Sequence, residues 1–348
     1  MQIEPFAVEQ WMNAYEDHCQ FNLAETCVET LTVKALLDLG GVGRSALDDI
    51  LDMKLTYGAI VGSERLRSAI AALYHDVAIE NVLVTHGAIG ANKLVHEALV
   101  EPNDRVISVQ PTYQQHYSIP ASYGADVQVL TLQEDDDYQP NLHQMRSLAT
   151  SATTLIAINN PNNPTGALMD AATLTEIGQI AASCNAHVLC DEVYRGTDQV
   201  GSGSSASIVE VYDRGISTGS MSKAFSLAGL RLGWMVAPAD VIKAAELHRD
   251  YSTISIGMIN DFLSAIALEN ADKLLERSQT ITRTNLAILS DWVAAEPRIT
   301  WVKPQSGTTA LLRYDLDMSS RDFCKQLLDQ TGVLFMPGSA LEVEGTVR

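Results

Sequence analysis

Lys223 and Arg231 are the residues from which chemistry can first be read in this chain. Both stand in the run Ser220-Met221-Ser222-Lys223-Ala224-Phe225-Ser226-Leu227-Ala228-Gly229-Leu230-Arg231-Leu232-Gly233, which is otherwise small and apolar. The run follows a strand predicted over 215–219. An ammonium group is strongly hydrated and seldom buried without a partner. A lysine so placed reaches solvent, pairs with an acid, or serves as an amine of lowered pKa. Ser220, Ser222 and Arg231 around it point to an anion nearby, held by hydroxyl donors and a guanidinium fork. An amine beside a phosphate cradle is what pyridoxal 5'-phosphate (PLP) requires: the amine forms the Schiff base and the cradle fixes the ring.

Other strand ends carry matching groups. In open α/β sheets, ligands sit beyond the carboxyl ends of the strands. After a strand at 82–85 come Gly87, Ala88 and Ile89, opening a helix. Glycine lets the backbone come close, and the amides of Ala88 and Ile89 suit a phosphate, although a plain helix cap reads the same way. After 105–109 comes Tyr113, either a plate for a pyridine ring or a core tyrosine. After 155–158 comes the loop Asn159 to Gly166, with Asn163; after 187–191 come Asp191 and Tyr194. An ionised Asp191 against the pyridine nitrogen keeps it protonated, so the ring accepts density from a carbanion at the substrate Cα. Tyr194 and Asn163 would both hydrogen-bond the ring phenolate oxygen. Lys223, once freed by exchange with the substrate amine, would carry the proton between Cα and the cofactor carbon.

These residues also resemble a family. Ser220 to Gly233 resembles the lysine signature of the class I aminotransferases of PLP fold type I: Ser-x-Ser-Lys, small and apolar residues, then Gly-x-Arg-x-Gly. Asn159 to Gly166 is similar to the family's Asn-x-Pro-x-Asn-Pro-Thr-Gly loop, and Asp191-Glu192-Val193-Tyr194 to its Asp-Glu-x-Tyr motif, in the family's order. Thr56-Tyr57-Gly58, with Gly62 and Leu66-Arg67, resembles the segment whose tyrosine reaches the phosphate of the partner subunit. The resemblance therefore implies a homodimer in which Tyr57 serves the partner's site. Gly345-Thr346-Val347-Arg348 resembles the segment whose arginine grips the substrate α-carboxylate by a bidentate pair, which makes Arg348, with Asn163, the implied substrate contacts. The family continues past this arginine with a strand and a helix. Here the sequence ends, so either it stops short or a shortened small domain holds Arg348 loosely.

The likeness covers about residues 50–348 and fails in two places. Where family members often show Gly-x-Pro bordering the substrate, this chain reads Asn22-Leu23-Ala24-Glu25-Thr26-Cys27-Val28. Glu25 there is either a solvated acid or a partner for a basic substrate side chain. Ile89 replaces a small or hydroxyl residue, removing at most one donor from the phosphate.

The elements that must position these groups follow from periodicity. Strands are expected at 82–85, 105–109, 127–130, 155–158, 187–191, 215–219 and 234–237, with helices at 88–100, 171–183 and 240–250 among them. Alternation of this kind predicts an α/β fold with a mostly parallel sheet covered on both faces. Helices are also expected at 8–19, 32–39 and 63–74, a long helical region over 258–296 broken near 270–272, and short strands at 300–302, 308–313 and 333–336 around a helix at 320–330. The expected architecture is a three-layer αβα large domain over 44–285 with a seven-stranded sheet. An N-terminal segment, 1–43, and a C-terminal part, 286–348, form a smaller α+β domain from both chain ends.

Composition bounds the rest. The 348 residues carry 43 acids against 23 bases, a net charge of −20, which argues against nucleic acid or anionic membrane as partner. Five scattered cysteines form no CxxC pair and no metal spacing, and read as reduced thiols of a cytoplasmic protein. No run approaches the length of a membrane span. Three functions remain. The first is a PLP-dependent aminotransferase, cycling between an amino acid and a 2-oxo acid. The second keeps PLP but runs a lyase, cyclase or other Cα-carbanion reaction on the same scaffold. The third is a non-catalytic regulator of PLP fold.

Overall fold

The computed structural model describes residues 2–348. In chain order its strands are β1 (Phe21–Asn22), β2 (Val82–Thr85), β3 (Arg105–Gln110), β4 (Asp126–Thr131), β5 (Thr153–Asn159), β6 (His187–Asp191), β7 (Gly215–Ser220) and β8 (Gly233–Val236). Four short ones come after them: β9 (Ile299–Thr300), β10 (Leu312–Tyr314), β11 (Val333–Leu334) and β12 (Thr346–Val347). Seven form the central sheet in the order β2-β8-β7-β6-β5-β3-β4. Only β8 runs antiparallel to its neighbours, β2 and β7. The expected α/β class and seven-stranded, mostly parallel sheet are what the chain adopts.

The strands read as continuous apolar runs because both faces are covered. Leu155, Ile156, Ala157 and Ile158 of β5 are all fully buried, as are Val188, Leu189 and Cys190 of β6. Ile156 and Ile158 pack with Ile177 and Ile180 of the helix Ala171–Ser183. Leu155 and Leu189 pack on the other face with Leu94 and Val95 of the helix Gly87–Leu99. Each crossover returns the chain so that β2, β3, β5, β6 and β7 end at the same edge. Antiparallel β8 begins at that edge, with Gly233 registered against both Thr85 and Ser220.

The chain ends meet in a second body. β1 pairs with β11, and β12-β10-β9 forms a small antiparallel sheet. Val8, Trp11 and Met12 of the helix Ala7–Tyr15 share one core with Leu312, Cys324 and Met336. The long helical region divides into Met258–Leu268 and Ala271–Ala295, a break at the expected place. No helix among the described residues is long and apolar enough to cross a membrane.

Three short helices escape periodicity: Ser45–Leu51, Gln115–Ser122 and Leu142–Leu148. Gln115–Ser122 contains Pro120 and shows no apolar stripe in sequence. The strand expected over 308–313 shrinks to Leu312–Tyr314. Gly307 turns the chain at φ +83°, and Thr308 Oγ1 donates to the carbonyl of Thr26 at 2.6 Å, so the first half is drawn to the N-terminal segment.

Ile156→Ala is expected to destabilise the fold by about 2–5 kcal/mol, because the cavity opens between the sheet and the helix Ala171–Ser183 that covers it. Urea unfolding with an unchanged slope measures it; a loss below about 1 kcal/mol would show that the core collapses around the gap.

Candidate active site

Ser220 ends β7, and its Oγ accepts the N–H of Ser222 at 3.2 Å, turning the chain so that Lys223 leaves the sheet edge. Ser226 at φ +58° and a 2.8 Å bond from Leu227 N–H to the Met221 carbonyl close this turn. Lys223 Nζ donates to Thr26 Oγ1 at 2.5 Å and stands 3.4 Å from Cys27 Sγ and 3.7 Å from Glu25 Oε1. Burial alone would lower the amine's pKa, but Tyr194, Cys27 and Glu25 around it carry the net shift upward. Burial holds the Cys27 thiol and the Tyr194 phenol above their ordinary values, so neither is an anion at neutral pH. Burial pushes the Glu25 carboxyl up, but Lys223 and the N–H groups of Thr26 and Cys27 prevail and lower it. Of these three neighbours, Glu25 is the one that answers the ammonium charge. The amine is thus held protonated here, where one sequence-based expectation was a lowered pKa.

A second cluster lies where β2 and β8 meet. The helix Gly87–Leu99 starts at Gly87 with φ +69°, and its N-cap residue, His86, supplies no side-chain cap. A Cβ on Gly233 would come within 2.2 Å of Gly87 C and 2.4 Å of Ala88 N, so only glycine lets β8 pass this closely. A Cβ on Gly87 would stand 3.4 Å from an Arg231 terminal nitrogen. Free amides at a 13-residue helix's start, a guanidinium and the buried Ser220 thus face one small space suited to an anion. Ile89 is 40% exposed, and its carbonyl accepts from Gln115 Nε2 at 2.7 Å.

Asp191 ends β6, buried. Its Oδ2 accepts from Asn92 Nδ2 at 2.8 Å, its Oδ1 from the Val193 N–H at 3.2 Å, and His116 Nε2 lies 3.5 Å away. Asn92 Oδ1 accepts in turn from Thr218 Oγ1 at 2.7 Å. The next strand end is shaped by asparagines. Asn159 Nδ2 donates to the Asp191 carbonyl at 2.8 Å, and its Oδ1 accepts the Asn163 N–H at 2.6 Å. Asn162 Nδ2 reaches the Pro111 carbonyl at 3.1 Å. Asn163 Oδ1 accepts from Arg348 NH1 at 3.0 Å, and Arg348 NH2 donates to the Ala24 carbonyl at 2.7 Å.

The expectation of a loosely held Arg348 is corrected by the structure. Its backbone exchanges both hydrogen bonds with Met336, its side chain is buried, and its Nε is left buried without a partner. An orphaned guanidinium N–H beside two used ones prepares a place for a carboxylate. The Ala24 carbonyl that holds Arg348 and the Thr26 hydroxyl that takes Lys223 are two residues apart, so the guanidinium and the amine are held by one stretch, and both charges act on the Tyr194 phenol. Tyr113 donates its hydroxyl to Glu9 Oε1 at 3.2 Å and leans on Phe6 at 4.8 Å between ring centroids. Tyr57 stands apart from these groups at the surface, 72% exposed.

The structure also brings in residues that sequence reasoning passed over: Thr26, Cys27, Asn92 and His116. Asn92 had a signal, since it lies one helical turn after Ala88 and so on the same face. His116 had none, and Thr26 and Cys27 stand where the resemblance failed.

Fold and site together have the form of an enzyme that works with a phosphorylated aldehyde coenzyme. The model of the family "aminotransferase class I and II" matches residues 44–348. Capreomycidine synthase of Streptomyces vinaceus is 32% identical over 335 residues, 95% of this chain and 85% of that protein. The crystal structure of a PLP-dependent aminotransferase from Streptococcus suis superposes with a TM-score of 0.97 at 40% identity, covering 100% of this chain and 92% of the other. That of the PLP-dependent cyclase OrfR gives 0.90 at 26% identity, covering 100% and 92%. The chain belongs to the class I and II aminotransferase family, and its coenzyme is PLP.

Arg231→Ala is expected to weaken PLP binding by about ten- to a hundredfold, the worth of a charge-assisted hydrogen bond. Equilibrium titration of the coenzyme into the apoprotein reads this directly, and unchanged affinity would remove Arg231 from the anion site.

Proposed function

We propose that this protein is a PLP-dependent aminotransferase that interconverts an amino acid and a 2-oxo acid in two half-reactions. Supporting it most is the gathering of a largely buried amine, Lys223, and a buried guanidinium with a free N–H, Arg348, by one short stretch, in which the Thr26 hydroxyl accepts from the amine and the Ala24 carbonyl from the guanidinium. The residues fit the coenzyme: a glycine-lined helix start with Arg231 for its phosphate, and an acid at the next strand end but one. When bound, PLP supplies an aldehyde carbon for the substrate nitrogen and a sink for the electron pair left at Cα.

The chain's own residues would do the rest. Gly87, Ala88 and Ile89 offer amides to the phosphate, with Ser220, Ser222 and Arg231 beside them. Asp191, kept in place by Asn92, would meet the pyridine nitrogen and hold its proton. Tyr194 and Asn163 would donate to the ring oxygen, and Tyr113 would lie against the ring. Arg348 takes the substrate α-carboxylate and so fixes which bond at Cα stands to be broken. Lys223 Nζ then removes the Cα proton and delivers it one carbon further on, which requires the amine to shed the proton that it holds at rest.

A homodimer completes this reading, with Tyr57 reaching the partner's phosphate. In support, Tyr57 shares the surface with Leu51 and Leu55, both about 80% exposed, and Tyr251, 97% exposed. The five free cysteines support a cytoplasmic setting.

A second reading stays open, in which the same site eliminates or cyclises at the substrate side chain. The likeness to capreomycidine synthase and OrfR favours it, and so do Thr26 and Cys27, a hydroxyl and a neutral thiol beside the lysine that add proton donors.

The holoenzyme is expected to show a visible absorbance that borohydride abolishes and that Lys223→Ala lacks. An amino acid alone should convert it to the pyridoxamine spectrum, with one equivalent of 2-oxo acid per site. Continued release of ammonia, or of a ring product, without an oxo acceptor would overturn transamination in favour of the second reading. Asp191→Ala should retain some coenzyme and lose most turnover; full turnover would refute its role.

A further inference from the structure

We propose that Glu25 selects the substrate side chain, and that the amino acid taken carries a cationic end group, a guanidinium or an ammonium. This rests on the reading of Lys223 and Arg348 given above and adds to it the chemistry of the far end of the substrate.

Glu25 belongs to the segment where the chain departs from its family, and the structure carries that segment into the site. Asn22 Oδ1 accepts the N–H groups of Ala24 and Glu25 at 3.1 and 3.0 Å, turning the chain. Glu25 Oε1 then accepts the N–H groups of Thr26 at 2.7 Å and Cys27 at 2.9 Å. The carboxylate is therefore fixed by backbone rather than free to swing. Thr26, the next residue, touches Lys223 Nζ, and the preceding carbonyl, of Ala24, holds Arg348. Both anchors of a bound amino acid are thus one residue away from Glu25.

Glu25 and Arg348 line the same cleft, with Cys27, Leu23 and Thr308 between and beside them. Arg348 is 7% exposed with Nε unpartnered, which marks the carboxylate end of that cleft. The Glu25 side chain keeps 47% of its surface open, so its charge is presented and not consumed inside the fold. Its present counter-ion, Lys223, is the amine that the coenzyme engages, and the separation of 3.7 Å is looser than a direct hydrogen bond. In the loaded enzyme the carboxylate is left without that cation. A substrate guanidinium or ammonium supplies one by a charge-assisted bond, whereas a substrate carboxylate would meet like charge. Cys27 does not compete as an anion, because its buried thiol stays neutral.

The test compares arginine with citrulline, a neutral side chain of nearly the same shape, in the wild-type holoenzyme and in Glu25→Gln. Glutamine retains an oxygen for the N–H groups of Thr26 and Cys27, so the turn is kept while the charge is lost. Dissociation constants come from the change in coenzyme absorbance on titration, and kcat/KM from product formation. The wild type is expected to prefer arginine over citrulline by about tenfold or more, and Glu25→Gln to lose most of that ratio. Added salt should narrow the wild-type ratio and leave that of the variant flat. Glu25→Asp should restore part of it. A holoenzyme that responds to amino acids but takes citrulline or glutamate as well as arginine overturns the inference and leaves the parent reading standing. An equal loss for arginine and citrulline in Glu25→Gln, which a merely structural role would give, also overturns it. A holoenzyme that responds to no amino acid overturns both.

Discussion

A protonated amine has been largely taken out of water at the carboxyl edge of a mostly parallel sheet, and much of the molecule answers to that fact. Desolvating an ammonium is costly unless an opposite charge and hydrogen-bond acceptors replace its hydration. The sheet does not supply them to Lys223: the acid that ends β6, Asp191, is bonded instead to Asn92 and the Val193 N–H. The N-terminal segment does. Thr26 offers its hydroxyl and Glu25 its carboxylate, and Thr308 holds the segment down through the Thr26 carbonyl. The two chain ends are thus tied to the central sheet by the group proposed to do the chemistry. Ala24 and Asn163 sharing Arg348 is the same device a few residues away.

The parts of the site built from strand ends were readable from sequence, for a physical reason. A parallel sheet buried on both faces leaves its ligands nowhere to lie but the carboxyl edge, so the residue after each apolar run is informative. Asp191, Asn163 and Ser220 were found in this way, and each stands at that edge. Asn92 could have been found by stepping one turn along the helix from Ala88. Thr26 and Cys27 could not, because a short polar stretch between helices carries no period, and its position depends on hydrogen bonds to residues hundreds of positions away. The broken strand at 308–313 fails for the same reason: its sequence suits a strand, but Gly307 and the pull of Thr26 decide. Arg348 was legible by resemblance alone, and how firmly it is held became plain only with Met336 and Asn163 placed beside it.

On the proposed reading, the site divides into two parts. The coenzyme apparatus, from Gly87 and Arg231 to Asp191 and Tyr194, would give access to a carbanion at Cα. The fate of that carbanion would depend on groups that face the substrate, and on this reading those come from residues 22–28, outside the span matched by the family model. A hydroxyl, a neutral thiol and a fixed carboxylate stand within 3.7 Å of the lysine. Specificity is a difference between two affinities, so a single fixed charge at the mouth of such a cleft can decide it.

The most direct measurement is to reduce the holoenzyme with borohydride, digest it, and map the pyridoxyl group by mass spectrometry. The modification is expected on the peptide that contains Lys223, with the loss of all coenzyme-dependent turnover. A pyridoxyl group on another lysine, or a coenzyme released intact after reduction, would refute the role given to that amine.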